Sequence, residues 1–187
     1  MIVGLDGIVE HKEPTLVHLN VSGVVYEVFI SLHTYGAISS ERCKIHTAHI
    51  IREDAQQLYG FTQKSEKILF EGMLKINGIG PKAALAICST FTPEQFAGII
   101  SSKDVNALKK VPGIGPKSAA RIMVELAGFD AVLLNSGSSV SSAATEASMA
   151  LESLGFKREQ IAKALSGSSA TDTASLVKEA LKQLQKL

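Results

Sequence analysis

The stretch Lys75-Ile76-Asn77-Gly78-Ile79-Gly80-Pro81-Lys82 is said a second time as Lys110-Val111-Pro112-Gly113-Ile114-Gly115-Pro116-Lys117. Each copy leads into a small-residue helical pattern, Ala83-Ala84-Leu85-Ala86-Ile87 and then Ser118-Ala119-Ala120-Arg121-Ile122. Lys75 and Lys110 stand 35 positions apart, and repetition at that period is the signature of a duplicated helix–turn–helix piece. Gly-Ile-Gly opens backbone conformations closed to other residues and lets N–H groups approach a ligand. Pro81 and Pro116 suit the first turn of the helix that follows. That helix start offers free N–H groups and the positive end of the helix dipole, a place for an anion. The candidate phosphate contacts are therefore Asn77, Gly78, Gly80 and Lys82 in the first copy, and Gly113, Gly115, Lys117, Ser118 and Arg121 in the second.

Composition points the same way. The chain of 187 residues has room for one large domain or two to three small ones, and its net charge is only +1. The charge is unevenly spread. Residues 1–60 carry 4 basic and 7 acidic side chains, residues 61–125 carry 9 and 5, and residues 126–187 carry 6 and 6. The positive excess falls on the segment with the repeated turns, which favours a polyanion as its partner. No apolar run approaches a membrane span, and an acid at Asp6 argues against a secretory leader. Cys43 and Cys88 form no paired motif, so a reduced, cytoplasmic protein is the expectation.

The pattern predicts a multidomain α+β chain in four parts. Residues 1–62 hold β-branched or alternating runs at Ile2–Leu5, Ile8–Val9, Leu16–Leu19, Val24–Ile30, Ile45–Ile51 and Gln57–Phe61, parted by turn signals at Glu13-Pro14 and Asn20–Gly23. About five strands in this length, interrupted near Ser31–Ser40, suit a small OB-type barrel. Residues 63–132 turn helical, with Thr62 as a candidate N-cap, a capping box at Thr92-Pro93-Glu94-Gln95, and Ser102 as a candidate cap for a short helix through Leu108. A helix after the second turn is expected to end near Gly128. The Ser-rich segment 133–145 reads as a linker, and residues 146–187 as a three-helix domain.

Competing chemistries fit less well. A P-loop needs Gly-x-x-x-x-Gly-Lys-Ser/Thr, and Lys117-Ser118 follows Pro116 instead of glycine. A helix-hairpin-helix glycosylase places a catalytic Asp beyond the hairpin in a Val-Asp-Thr-like setting. Asp104 lies in Ser-Lys-Asp-Val-Asn and suits the start of a helix. His46 and His49, three apart on a strand, point to opposite faces and cannot easily share a metal. Glu53-Asp54 is an acidic hairpin tip, ordinarily just a solvated turn. Beside DNA the same two charges would repel phosphate and keep strands apart. No catalytic residue, cofactor or metal is expected.

The repeated turns are similar to the helix-hairpin-helix motif of many DNA-binding proteins, which grips phosphates without reading bases. The whole chain closely resembles the RuvA family. Met1-Ile2 with Leu5-x-Gly7, the run Arg52-Glu53-Asp54-Ala55-Gln56-x-Leu58-Tyr59-Gly60-Phe61, both Gly-Ile-Gly-Pro-Lys turns and Leu151-x-x-Leu154-Gly155-Phe156 carry the resemblance. It implies a fourfold homotetramer, singly or as a pair, holding an open four-way (Holliday) junction in a planar form, with Glu53 and Asp54 as an acidic pin at its centre. It implies further that the C-terminal domain meets the ATP-driven motor RuvB through an apolar surface that includes Leu151 and Leu154, although both could equally be core. RuvC, which cleaves the junction, is the other implied partner. A monomeric DNA-binding accessory module and a small DNA lyase or glycosylase are the rival readings.

Overall fold

The structure is a computed structural model that describes residues 1–39, 41–126, 143–156, 158–166 and 172–184. The chain divides into two compact units, Met1–Gly137 and Ser138–Leu187.

In the first unit, strands β1 (Gly4–Glu13), β2 (Leu16–Val21), β3 (Val24–Ile30), β4 (Arg42–Ile51) and β5 (Gln56–Phe61) close a barrel in the order β1-β2-β3-β5-β4. Neighbours run antiparallel except β3 and β5, which pair in parallel with Phe29 opposite Tyr59. A parallel pair needs a crossover. The crossover is helix α1 (Leu32–Ala37), which occupies the interruption near Ser31–Ser40, followed by β4. Alternation along the strands sends Leu5, Val17, Leu19, Val28, Ile30, Ile45 and Leu58 into the barrel interior. The two apolar runs expected as separate strands at the N-terminus are one strand, with a bulge between Val9 and His11. Asp6 and Gly7, between those two runs, stay in the ladder opposite Lys44 and Cys43, and Asp6 is held on the outside by Arg42 at 2.8 Å.

Five helices follow: α2 (Lys64–Leu74), α3 (Pro81–Thr90), α4 (Pro93–Ser102), α5 (Val105–Leu108) and α6 (Pro116–Glu125). The capping box at Thr92 is present, with Thr92 Oγ1 accepting from Gln95 N and Gln95 Oε1 accepting from Thr92 N. Two other expected caps are displaced. Gln63, not Thr62, precedes α2, because the Thr62 amide donates to Thr34 Oγ1 at 3.3 Å and so ties the segment to α1. Ser102 ends α4, and Asp104 caps α5 by accepting from Asn106 N and Ala107 N at 3.0 and 3.1 Å. Helix α6 stops at Glu125, and residues 127–142 lie outside the described ones.

Barrel and helices share one apolar core. Tyr59 stacks on Phe29 at 5.5 Å between ring centres and meets Phe70 of α2 at 4.8 Å, while Phe61 meets Phe70 at 5.1 Å. The same cluster continues through Leu69, Met73 and Ile87 to Ile122 of α6. The helical half is thus mounted on the barrel by an aromatic seam.

The second unit packs α7 (Ala143–Ser153), α8 (Arg158–Ser166) and α9 (Thr173–Leu184) around Leu151, Ile161, Ala164, Ala180 and Leu184. Helix α7 starts three residues earlier than expected, and Ala143-Ala144 explains this, since alanine is the strongest helix former. The expected linker 133–145 otherwise falls outside the described residues, as does Gly167. Helix α7 ends in a Schellman turn: Gly155 N donates to Glu152 O at 3.0 Å and Phe156 N to Leu151 O at 3.2 Å, with Gly155 at φ +92°.

Candidate nucleic-acid interface

The sequence repeat is a repeat of hydrogen bonds. Ile79 N donates to Ile76 O and, 35 residues on, Ile114 N to Val111 O, both at 3.1 Å. Ala84 N donates to Gly80 O and Ala119 N to Gly115 O, both at 2.9 Å. Ile76 N to Met73 O is matched by Val111 N to Leu108 O, and Phe91 N to Ile87 O by Leu126 N to Ile122 O. The buried side chains follow the same offset: Met73 with Leu108, Ile76 with Val111, Ile79 with Ile114, Ala84 with Ala119, Ile87 with Ile122. The middle isoleucine of each Gly-Ile-Gly is the anchor that drives the turn into the core and leaves both glycines at the surface.

Gly78 and Gly113 take φ +87° and +84°, which a side chain rarely adopts. Gly80 and Gly115 are the extended residues just before α3 and α6, and neither helix start has a side-chain cap. Proline fills the first helical position of both, so no N–H is wasted there. The amides that follow are left for a ligand. Lys82 and Lys117 sit in these first turns, exposed, and among the described residues neither has an ion-pair or hydrogen-bond partner. A cation at a helix N-terminus opposes the dipole by about 0.3–1 kcal/mol. Folding does not favour a lysine there, whereas an incoming phosphate does. Ser118 is half-buried on the same turn.

Asn77 and Arg121, both expected as phosphate contacts, are joined to each other. Arg121 Nη1 donates to the Asn77 carbonyl at 2.6 Å, and its Nε lies 3.9 Å from Glu125. The second unit of the repeat thus reaches back to the turn of the first. Sequence reading also gave Arg52 no role. It lines a shallow cleft with Gln57, Tyr59, Gly80, Pro81 and Lys82, placing a second cation beside the first turn. The signal available for it was only its place next to the acidic pair. Glu53 and Asp54 are exposed at the β4–β5 tip, which Arg52 N closes by donating to Ala55 O at 2.8 Å.

His49 Nδ1 accepts from the Ile2 amide at 3.3 Å, and among the described residues no three His, Cys, Asp or Glu side chains gather for a metal. Burial pushes the thiols of Cys88 and Cys43 upward, away from thiolate. The two leucines of the C-terminal unit part company. Leu151 is wholly buried two residues before the end of α7, where Phe156 folds back, so it serves the core and does not offer surface to a partner. Leu154 is 59% exposed, and so is Met149 at 65%.

A closed five-stranded barrel carrying paired helix-hairpin-helix turns with exposed, positively charged helix starts defines a class of DNA-binding proteins. Residues 1–60 match the family described as RuvA N terminal domain, residues 70–127 a SAM-like helix-hairpin-helix tandem, and residues 142–185 the RuvA C-terminal domain. Over 99% of both chains, this one is 60% identical to the Holliday junction branch migration complex subunit RuvA of Sulfurimonas denitrificans. It is 60% identical to the protein of that name from Nitratiruptor and 56% identical to that from Wolinella succinogenes, in both cases over 100% of each chain. The chain belongs to the RuvA family. Among the described residues no helix is long and apolar enough to cross a membrane.

Proposed function

We propose that this protein binds four-way DNA junctions irrespective of sequence, holds them open as a homotetramer, and delivers them to a RuvB-type ATPase for branch migration. The observation that carries this reading is the pair of turns with matching hydrogen bonds, each with an uncapped helix start and a lysine that has no partner among the described residues. One such turn holds one stretch of backbone. Two on a rigid core hold a duplex arm, and fourfold assembly multiplies the grips by effective concentration. Glu53 and Asp54 act at the centre by repulsion, steering strands apart. The division of labour leaves ATP hydrolysis to the motor, which docks on the C-terminal unit through exposed apolar residues including Leu154, and leaves strand cleavage to RuvC.

The test is affinity for a four-way junction against a duplex of the same arm sequence, across several sequences, with the assembly mass measured alongside. A tetramer that prefers the junction regardless of sequence supports the reading; a monomer binding both alike is the accessory module instead. Replacing Glu53 and Asp54 by Gln and Asn should leave junction affinity unchanged or tighter while altering migration. A large loss of affinity would contradict repulsion at the centre.

A further inference from the structure

One buried ionisable group in the first unit has no part in gripping phosphate. Glu66, in the first turn of α2, is only 4% exposed. Its two carboxylate oxygens accept hydrogen bonds from the hydroxyls of Ser31 and Thr34, the latter at 2.9 Å. Those hydroxyls belong to the cap and first turn of α1, on the barrel side. Thr34 Oγ1 also accepts from Thr62 N at 3.3 Å, at the point where the last strand hands over to α2, and Leu32 N donates to Ser89 Oγ of α3 at 3.2 Å. The short helix α1 is therefore clasped from α2, from the strand–helix joint and from α3.

From this network we infer that Glu66 is a positioning residue that fixes the angle between the barrel, which carries the acidic tip, and the first phosphate-gripping turn. The inference rests on the junction-binding reading above. The aromatic seam between barrel and α2 supplies cohesion, but apolar contact is non-directional and tolerates small tilts. Hydrogen bonds to a buried carboxylate are directional, and each fails if the partners shift by a fraction of an ångström. Burial opposes the charged form of Glu66, so the group contributes little to stability for its own sake. Its effect is to select one arrangement among several that would bury the same apolar area. A duplex arm meets only the helix-hairpin-helix grips, whereas at a junction a displaced acidic tip would face phosphate instead of the central opening and repel it. Glu66 therefore matters for choosing junction over duplex.

The experiment uses the full-length chain with Glu66→Ala and Glu66→Gln, each checked for fold by its unfolding transition, against junction and duplex of one sequence. Losing hydrogen bonds to a charged group is worth about tenfold or more, so Glu66→Ala should lose at least about tenfold in junction-over-duplex preference while duplex affinity changes less than about twofold. Glu66→Gln keeps an acceptor for Ser31 and should restore most of the preference. Hydrogen exchange reads the clasp without DNA: the Thr34 and Thr62 amides should exchange faster in Glu66→Ala, with β1, β2 and the second turn unchanged. A folded Glu66→Ala chain that keeps the wild-type preference, loses both substrates by the same factor, or leaves those amides protected overturns the inference. If Glu66→Ala fails to fold, Thr34→Val, which spares the Ser31 bond, takes its place in the same comparison. A wild-type chain with no junction preference would sink the junction reading, and the exchange measurement would still decide whether Glu66 holds the two parts.

Discussion

The two helix-hairpin-helix turns share a backbone but not a foundation. The first is entered by α2, three turns long, whose Phe70 is locked against Tyr59 and Phe61 of the barrel. The second is entered by α5, a single turn of four residues capped by Asp104, and is tied to the first by the Arg121–Asn77 hydrogen bond. The barrel supports the first turn, and the first turn supports the second. Local sequence is enough to write a Gly-Ile-Gly corner with an open helix start, but holding two of them at a fixed spacing takes contacts from far along the chain. The hierarchy also accounts for one difference between the copies. Ala86 of the first copy corresponds to Arg121 of the second, the one position from which a side chain must reach across.

The hierarchy breaks if the first foundation proves dispensable. Phe70→Ala should cost about 3–5 kcal/mol in denaturant unfolding and loosen both turns by hydrogen exchange. Ile122→Ala, at the buried centre of the second copy, should cost about 2–5 kcal/mol and loosen the second turn alone. Equal spread of damage from the two variants would show that the turns support each other symmetrically.

A smaller effect sharpens the likeness of the two corners. Gly78→Ala and Gly113→Ala should each destabilise by about 1–2 kcal/mol, because the positive φ is costly for a side chain. Space is not the issue: a Cβ at Gly78 would meet only Arg121 Nη1 at 3.6 Å, and at Gly113 nothing within 4 Å. Markedly unequal melting temperatures would mean that the corners differ in strain.

Charge comes next. Lys82→Ala and Lys117→Ala should each lower the slope of log affinity against log salt by about one, to the same extent on junctions of different sequence. A loss confined to particular sequences would point to base contacts.

The smallest effect concerns pH. Burial raises the Glu66 pKa, with the Ser31 and Thr34 hydroxyls and nearby His33 opposing the rise. The folded protein then holds that proton more tightly than the unfolded chain. Its stabilising contribution is complete below the ordinary carboxyl range and is lost as pH climbs through the folded value. Glu66→Gln should flatten this part of the stability curve, and an unchanged curve would show that Glu66 is not the group responsible.

Much of this was legible in the residues because it is local. The repeated Gly-Ile-Gly-Pro-Lys, the capping box at Thr92 and the strand runs of the barrel each state their conformation within a few positions. Long-range choices were not legible. Thr62 has the side chain of a cap, but its amide is claimed by Thr34, 28 residues earlier. Glu66 looks like any acid in a first helical turn, and its burial is decided by Ser31 and Thr34 on another element. Leu151 and Leu154 share a helical face in projection, yet the helix ends between them and the Schellman turn sends one inward and leaves the other out. Arg52 stands out only when folding places it beside Gly80 and Lys82.

The central claim is that main-chain amides at both corners hold DNA phosphate. Residue-resolved hydrogen exchange of the full-length protein, with and without a four-way junction, tests it directly. Slowed exchange of the amides at 78–80, 82–83, 113–115 and 117–118 on binding, with the outer barrel strands β1 and β2 unaltered, is the predicted result. Tight junction binding that leaves both sets of amides exchanging as they do in the free protein would contradict it.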